Sequence, residues 1–271
     1  MDSRPIEPVV AGVDGTLASV HAVDLAAEEA AARVAPLVVV YTVEPRSDPA
    51  LLRGHRRLLD LVVSRAQAEH PGISVRGDLV YGQPVEALVR WSARAGLLVL
   101  GHRAGRRDEP SVAAEVASRS VAPVIVYRPL VVPQSGDCRP VLVGVSGRVG
   151  EDAPVAFAFQ EAELRGAPVV ACYVQTPYVP GSTVAQAREL LAGALGIWSD
   201  KYPEVTVRYE VRFGYDVVDV LAEVSRVAGL AVVGADGQRV PDRVGLGPTA
   251  RGLIDVAGCP VAVVSEAGAT D

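Results

Sequence analysis

The sequence is poor in several residue types, and each shortage narrows the field. Of 271 residues only three are cysteine, Cys138, Cys172 and Cys259, odd in number and far apart. That argues against a disulfide framework or a cysteine zinc site, and it fits a reducing compartment. Lys201 is the only lysine. No phosphate-binding loop of the glycine-then-lysine kind can form, so any phosphate contact must come from backbone N–H groups, hydroxyls or arginine. A basic excess is also missing. Residues 1–135 hold 15 Arg against 15 acidic residues, and residues 136–271 hold 11 basic against 17 acidic, for a formal net charge of −6. Such a surface does not track a nucleic-acid backbone. No apolar run approaches the roughly 18 residues that span a bilayer, and MDSRPIEPVV lacks a basic and then apolar leader. The expectation is a soluble, cytoplasmic protein with neither nucleic acid nor membrane as partner. Aromatics make up 5% against 49% hydrophobic residues, so Val, Leu and Ala must build the core. That composition suits buried parallel strands flanked by helices.

What the sequence does have is a long internal repeat. PVVAGVDG (Pro8 to Gly15) matches PVLVGVSG (Pro140 to Gly147) at an offset of 132, which also carries Tyr41 to Tyr173, Pro45 to Pro177 and Gly82 to Gly214. Gly101 maps to Gly234, and APVIVY (Ala122 to Tyr127) maps to CPVAVV (Cys259 to Val264). The period is far above that of solenoid repeats, so a whole domain is duplicated. The expected division is residues 1–130, a proline-rich linker at 131–139, and residues 140–267.

Each copy alternates short apolar runs with helical patterns. In the first copy VVAGV, PLVVVYTV, SVRGDLVYG, LLVLG and PVIVY read as strands, the third as a less buried edge. The helices expected between them are SVHAVDLAAEEAAARV, Pro49 to Glu69, PVEALVRWSARAG and PSVAAEVASRSV. The second copy repeats the order, with helices near Ala153 to Arg165, Ser182 to Asp200, Val217 to Ala228 and within TARGLIDV. Five strands and four helices in alternation predict a doubly wound α/β sheet with parallel pairing, a Rossmann-like domain in each copy. The last runs, PVIVY and PVAVV, are apolar edges of the kind that pair with one another. Pairing of the two would close the chain into a pseudo-dimer, with or without further homo-oligomerisation.

Ligands of such sheets bind beyond the carboxyl ends of the strands, where strand order reverses. Two loops there carry glycine in each copy. GADGQRVPDRVGLGPT (Gly234 to Thr249) follows LAVV, and GHRAGRRDEPS (Gly101 to Ser111) follows LLVL. Glycine lets backbone N–H groups approach a phosphate, and the next helix adds unpaired donors. The bland alternative is a glycine-rich βα turn.

V-G-V-D-G-T after the first strand, G-x-P before a helix, then V-V-G-x-x-G, nine residues, G and a small residue, and finally P-V-x-V-V resemble the universal stress protein family, here in tandem. The resemblance covers nearly the whole chain outside the linker and tail. It implies small cytoplasmic stress-response regulators of adenine-nucleotide alpha hydrolase-like fold, some of which bind ATP with Mg²⁺. By that resemblance, Asp14, Gly15 and Thr16 would hold the nucleoside in the first copy, with Thr42 near adenine and Gly101 and Ser111 at the phosphates. In the second copy Ser146 and Val174 take the nucleoside positions, and Gly234, Gly237, Gly247 and Thr249 form the cradle.

Both copies depart from the family pattern. The first has Ala104 for the second glycine, Pro110 and Ser111 where the third glycine belongs, and four residues fewer. The second has Ser146 for the nucleoside-holding Asp, and Pro248 directly after Gly247. Asp236 inside the cradle repels phosphate unless a cation intervenes. The favoured reading is one nucleotide at most, in the second copy, without efficient turnover. A member acting through an unknown protein partner alone is the alternative. No nucleophile or paired acid and base recurs at the strand ends, so no enzyme activity beyond slow ATP hydrolysis is expected.

Asp14 also reads as an Asx turn with Gly15 and Thr16. GVSGRVG (Gly144 to Gly150) has the wrong spacing for a dinucleotide fingerprint. His21, His55, His70 and His102 read as surface or helix-end residues, with His102 in the loop facing the site. RGHRR (Arg53 to Arg57) reads as a solvated helix face. The cysteines read as packing residues, with Cys138 in the linker the most exposed.

Overall fold

The structure is a computed structural model that describes residues 6–45, 48–102, 111–129, 139–147, 151–177, 183–235 and 245–266. The chain divides into two compact units, Met1–Pro129 and Leu130–Asp271. In the first, the apolar runs form β1 (Val9–Val13), β2 (Leu37–Val43), β3 (Val75–Tyr81), β4 (Leu97–Gly101) and β5 (Val124–Tyr127). Between them lie α1 (Leu17–Ala32), α2 (Pro49–Glu69), α3 (Pro84–Ser92) and α4 (Val112–Arg119). The strands run parallel in the order β3-β2-β1-β4-β5. The chain thus steps outward from β1 to β3 and then returns to the other flank of β1. That reversal leaves a crevice beyond the carboxyl ends of β1 and β4.

The second unit repeats this plan with β6 (Val141–Gly144), α5 (Asp152–Arg165), β7 (Val169–Gln175), α6 (Val184–Lys201), β8 (Val207–Phe213), α7 (Val217–Ser225), β9 (Leu230–Gly234), α8 (Pro248–Val256) and β10 (Val261–Val264). Its order is β8-β7-β6-β9-β10, again parallel. Each unit is the doubly wound α/β domain that the alternation predicts.

Central strands are buried on both faces, which is why their sequences are unbroken Val and Leu runs. The edge strands β3 and β8 alternate instead, with Arg76 and Asp78 in one and Arg208, Glu210 and Arg212 in the other. Helix α1 sets Ala18, Ala22, Ala26 and Ala30 on one buried face, a stripe of small residues that brings the helix close to the sheet. Its start is fixed by Thr16, whose hydroxyl accepts the Ser19 N–H.

Two helices end earlier than their patterns predict. α3 stops at Ser92 and α7 at Ser225, where longer stretches were expected. In each case the terminal serine hydroxyl donates to a carbonyl three residues back, Val89 or Ala222, and accepts a backbone N–H from the turn before the last strand, Val121 or Gly258. The serine ties the helix end to that turn. Both units also bury an i,i+4 ion pair that the sequence reading missed, Glu29 with Arg33 and Glu161 with Arg165.

Candidate functional site at the carboxyl ends of the strands

In the first unit the turn after β1 is held by its own side chains. One carboxylate oxygen of Asp14 accepts the Thr16 N–H at 2.9 Å and the Thr16 hydroxyl at 2.6 Å, while the Asp14 N–H donates to the Ser19 hydroxyl at 3.2 Å. This is the Asx turn, with Gly15 at φ +88° inside it. Thr42 is the penultimate residue of β2, half-buried. Gly101 ends β4, and a Cβ there would lie 2.6 Å from the backbone carbon of Ala18 and from the Ser19 nitrogen. The structure therefore needs glycine at 101 so that the first turn of α1 can cross the strand end. Ser111 caps α4, accepting the Ala114 N–H, and its hydroxyl lies 3.0 Å from Nδ1 of His102.

His102 thus corrects the surface reading. It is 3% exposed, its N–H bonds the Tyr127 carbonyl at 2.6 Å, and its ring is held by Ser111. His55 is a second correction. Although RGHRR lies on α2 with exposed arginines, the His55 ring turns inward and stacks on Tyr41. His70 does end a helix, as the C-cap of α2.

The second unit differs at each of these points. Ser146 replaces the aspartate, yet a carboxylate still fills the turn. Glu151 accepts the Ser146 N–H at 2.7 Å, the Ser146 hydroxyl at 2.5 Å and the Gly147 N–H at 2.9 Å. In the repeat frame Glu151 matches Ser19, so acid and hydroxyl have exchanged places across the turn. Helix α5 starts three positions later than α1 in that frame, with Pro154 in its first turn. Among the described residues, a Cβ on Gly234 would meet only the Pro154 ring, at 3.6 Å, an ordinary contact. Gly247 donates its N–H to the Ala235 carbonyl at 2.8 Å, which closes the long loop and sets Gly247 as N-cap of α8. That helix starts with Pro248 and carries no side-chain cap. Thr249 stands in its first turn, where backbone N–H groups lack intrahelical partners and carry the positive end of the helix dipole. Val174 is the penultimate residue of β7. Gly237 and Asp236 lie outside the described residues, as do Arg103, Arg106, Arg107 and Cys138.

At Gly101 the space that a side chain would need is taken by the backbone of Ala18 and Ser19 in α1. At Gly234 a Cβ meets only Pro154 among the described residues, beside a helix N-terminus with no side-chain cap, an arrangement able to hold an anion. The buried thiols are unsuited to chemistry here. Burial pushes Cys172 and Cys259 each up to about 12. Among the described residues no group of three His, Cys, Asp or Glu side chains could hold a metal, and no helix is long and apolar enough to cross a membrane.

Five parallel strands in each unit, with glycine-bearing loops where strand order reverses, define a tandem Rossmann-like α/β protein. The chain belongs to the universal stress protein family, whose model matches it twice, over residues 5–128 and 138–265. One universal stress protein of Mycobacterium tuberculosis is 32% identical over 221 residues, 76% of this chain and 80% of the relative. A second from the same organism is 31% identical over 291 residues, 95% and 97% of the two chains. The crystal structure of a universal stress protein from Archaeoglobus fulgidus matches with a TM-score of 0.74 at 17% identity, covering 96% of both chains, a likeness of fold.

Proposed function

We propose that this universal stress protein is a cytoplasmic stress-response regulator that binds one adenine nucleotide, in its second unit, without efficient turnover. The observation that supports this reading is the contrast between Gly234 and Gly101. Among the described residues only Pro154 comes near a Cβ at the end of β9, beside the uncapped start of α8, where the first unit has helix backbone and a serine cap. Residues Gly234, Thr249 and the α8 N-terminus would face the phosphates, and Ser146 and Val174 the nucleoside. ATP brings a polyphosphate charge, and Mg²⁺ would offset its repulsion from nearby carboxylates. The chain's own part is to bind and orient. No nucleophile or general base is proposed.

Calorimetric titration of ATP, with and without Mg²⁺, tests the reading on the full chain. Wild type is expected to bind with a stoichiometry of one. Gly234→Val, which fills the space beside Pro154, is expected to lose at least tenfold in affinity with little change in melting temperature. Absence of binding in wild type would sink the reading and favour a member acting through protein contacts alone.

A further inference from the structure

In the first unit the Tyr41 ring, near the carboxyl end of β2, is covered by His55 from α2. The ring centroids lie 4.7 Å apart with planes 23° from parallel, a stacked pair. Tyr41 is 8% exposed. Burial, and then the negative charge of Asp14, raise its phenol above the usual value, as expected beside the turn after β1. An imidazole from α2 therefore covers a Tyr41 ring that feels the charge of that turn.

The repeat offset of 132 carries Tyr41 to Tyr173 and His55 to Ala187. The two helices keep the same phase over their strands. Leu58 of α2 stands 3.2 Å from where a Cβ on Gly15 would be, and Leu190 of α6, at the same offset, crowds the matching space at Gly147. So where the first unit sets an imidazole, the second sets a methyl group. Tyr173 is correspondingly less buried than Tyr41, and none of the ring contacts among the described residues involves it.

We infer that Tyr173 is a stacking platform for a planar heteroaromatic ring in the second unit, and that His55 fills the equivalent slot in the first as an internal stand-in. The inference rests on the nucleotide reading and names its base subsite. The stand-in says which chemistry fits, since imidazole is the five-membered half of a purine. A flat ring of that kind gains from the Tyr173 π-face, and stacking on an aromatic side chain tolerates different bases. Residue 55 or 187 then decides which unit accepts the base.

The test is calorimetry of ATP and of adenosine on the full chain, for wild type and for Tyr173→Leu, Tyr173→Phe and Ala187→His, with thermal melts as a folding control. Tyr173→Leu is expected to weaken both ligands by about tenfold or more, in line with the worth of one base stack. Tyr173→Phe keeps the π-face and is expected to stay within about threefold. Ala187→His, which installs the stand-in, is expected to abolish adenosine binding. Wild-type binding with Tyr173→Leu unchanged would overturn the platform and leave the nucleotide reading intact. Loss in Tyr173→Phe equal to that in Tyr173→Leu would overturn stacking in favour of a hydroxyl contact. If wild type binds neither ligand, the nucleotide reading falls and the base subsite falls with it.

Discussion

Gly101 and Gly234 occupy the same position in the two copies, at the end of the fourth strand, yet glycine serves a different purpose in each. At Gly101 the backbone of α1 passes so near that no side chain fits; at Gly234 the one near neighbour among the described residues is Pro154, at an ordinary contact distance. The cause lies in the first helix of each copy. α1 starts at Leu17 and lays Ala18 over the strand end, while α5 starts only at Asp152. Duplication preserved the sheet in both units, and the start of the first helix sets how closely its backbone crosses the end of the fourth strand. A conserved-looking glycine is thus a poor guide to ligand binding until its neighbours are known.

The largest effect is expected from putting the same methyl group on both glycines. Gly101→Ala forces a shift of α1 backbone and is expected to cost about 3 kcal/mol, as overpacking at a rigid site does. Gly234→Ala is expected to change stability by less than about 0.5 kcal/mol. Urea unfolding of the two variants checks this, and equal costs would break the contrast.

A smaller effect is expected at the turns after the first strands, where acid and hydroxyl have traded positions. Glu151 accepts three hydrogen bonds from Ser146 and Gly147, and Ser19 at the matching position takes one from Asp14 and gives one to the Thr16 carbonyl. Bonds to a charged group are worth more than neutral ones. Glu151→Ala is therefore expected to cost about 2 kcal/mol and Ser19→Ala about 1 kcal/mol, read by the same unfolding curves. A Glu151→Ala cost no larger than that of Ser19→Ala would mean that the exchanged carboxylate is not what holds the second turn.

Most of the fold was legible because it rests on patterns that strands and helices cannot hide. Unbroken Val and Leu runs separated by helical stretches gave the order of elements, and the expected span Pro49 to Glu69 is the one that α2 takes, its cap Asp48 accepting the Ala50 N–H. Ends set by tertiary contact were not legible. Ser92 and Ser225 look like ordinary helix residues until the turn that donates to each is in place. The candidate site was legible only in outline. Glycine spacing pointed to loops at the carboxyl ends of the strands, but the crossing of Ala18 over Gly101, the arrival of Glu151 opposite Ser146 and the inward turn of His55 are long-range or side-chain events. One signal was available in the repeat itself. Aligning the copies shows Asp14 with Ser146 and Ser19 with Glu151, a reciprocal exchange that single-motif matching overlooks.

The smallest expected effect concerns the helices that follow the two glycine-bearing loops. Ser111 serves the fold, since its hydroxyl caps α4 and holds buried His102. Thr249 sits in the first turn of a helix whose N-cap is Gly247, which makes no side-chain cap bond. Ser111→Ala is expected to cost about 1 kcal/mol of stability, the usual worth of a cap. Thr249→Ala is expected to leave stability within about 0.5 kcal/mol and to weaken ATP binding severalfold. Unfolding and calorimetry on the same two proteins separate the outcomes. A stability loss in both, with binding untouched, would make the start of α8 a second structural cap and remove the difference on which the proposed placement of a nucleotide in the second unit rests.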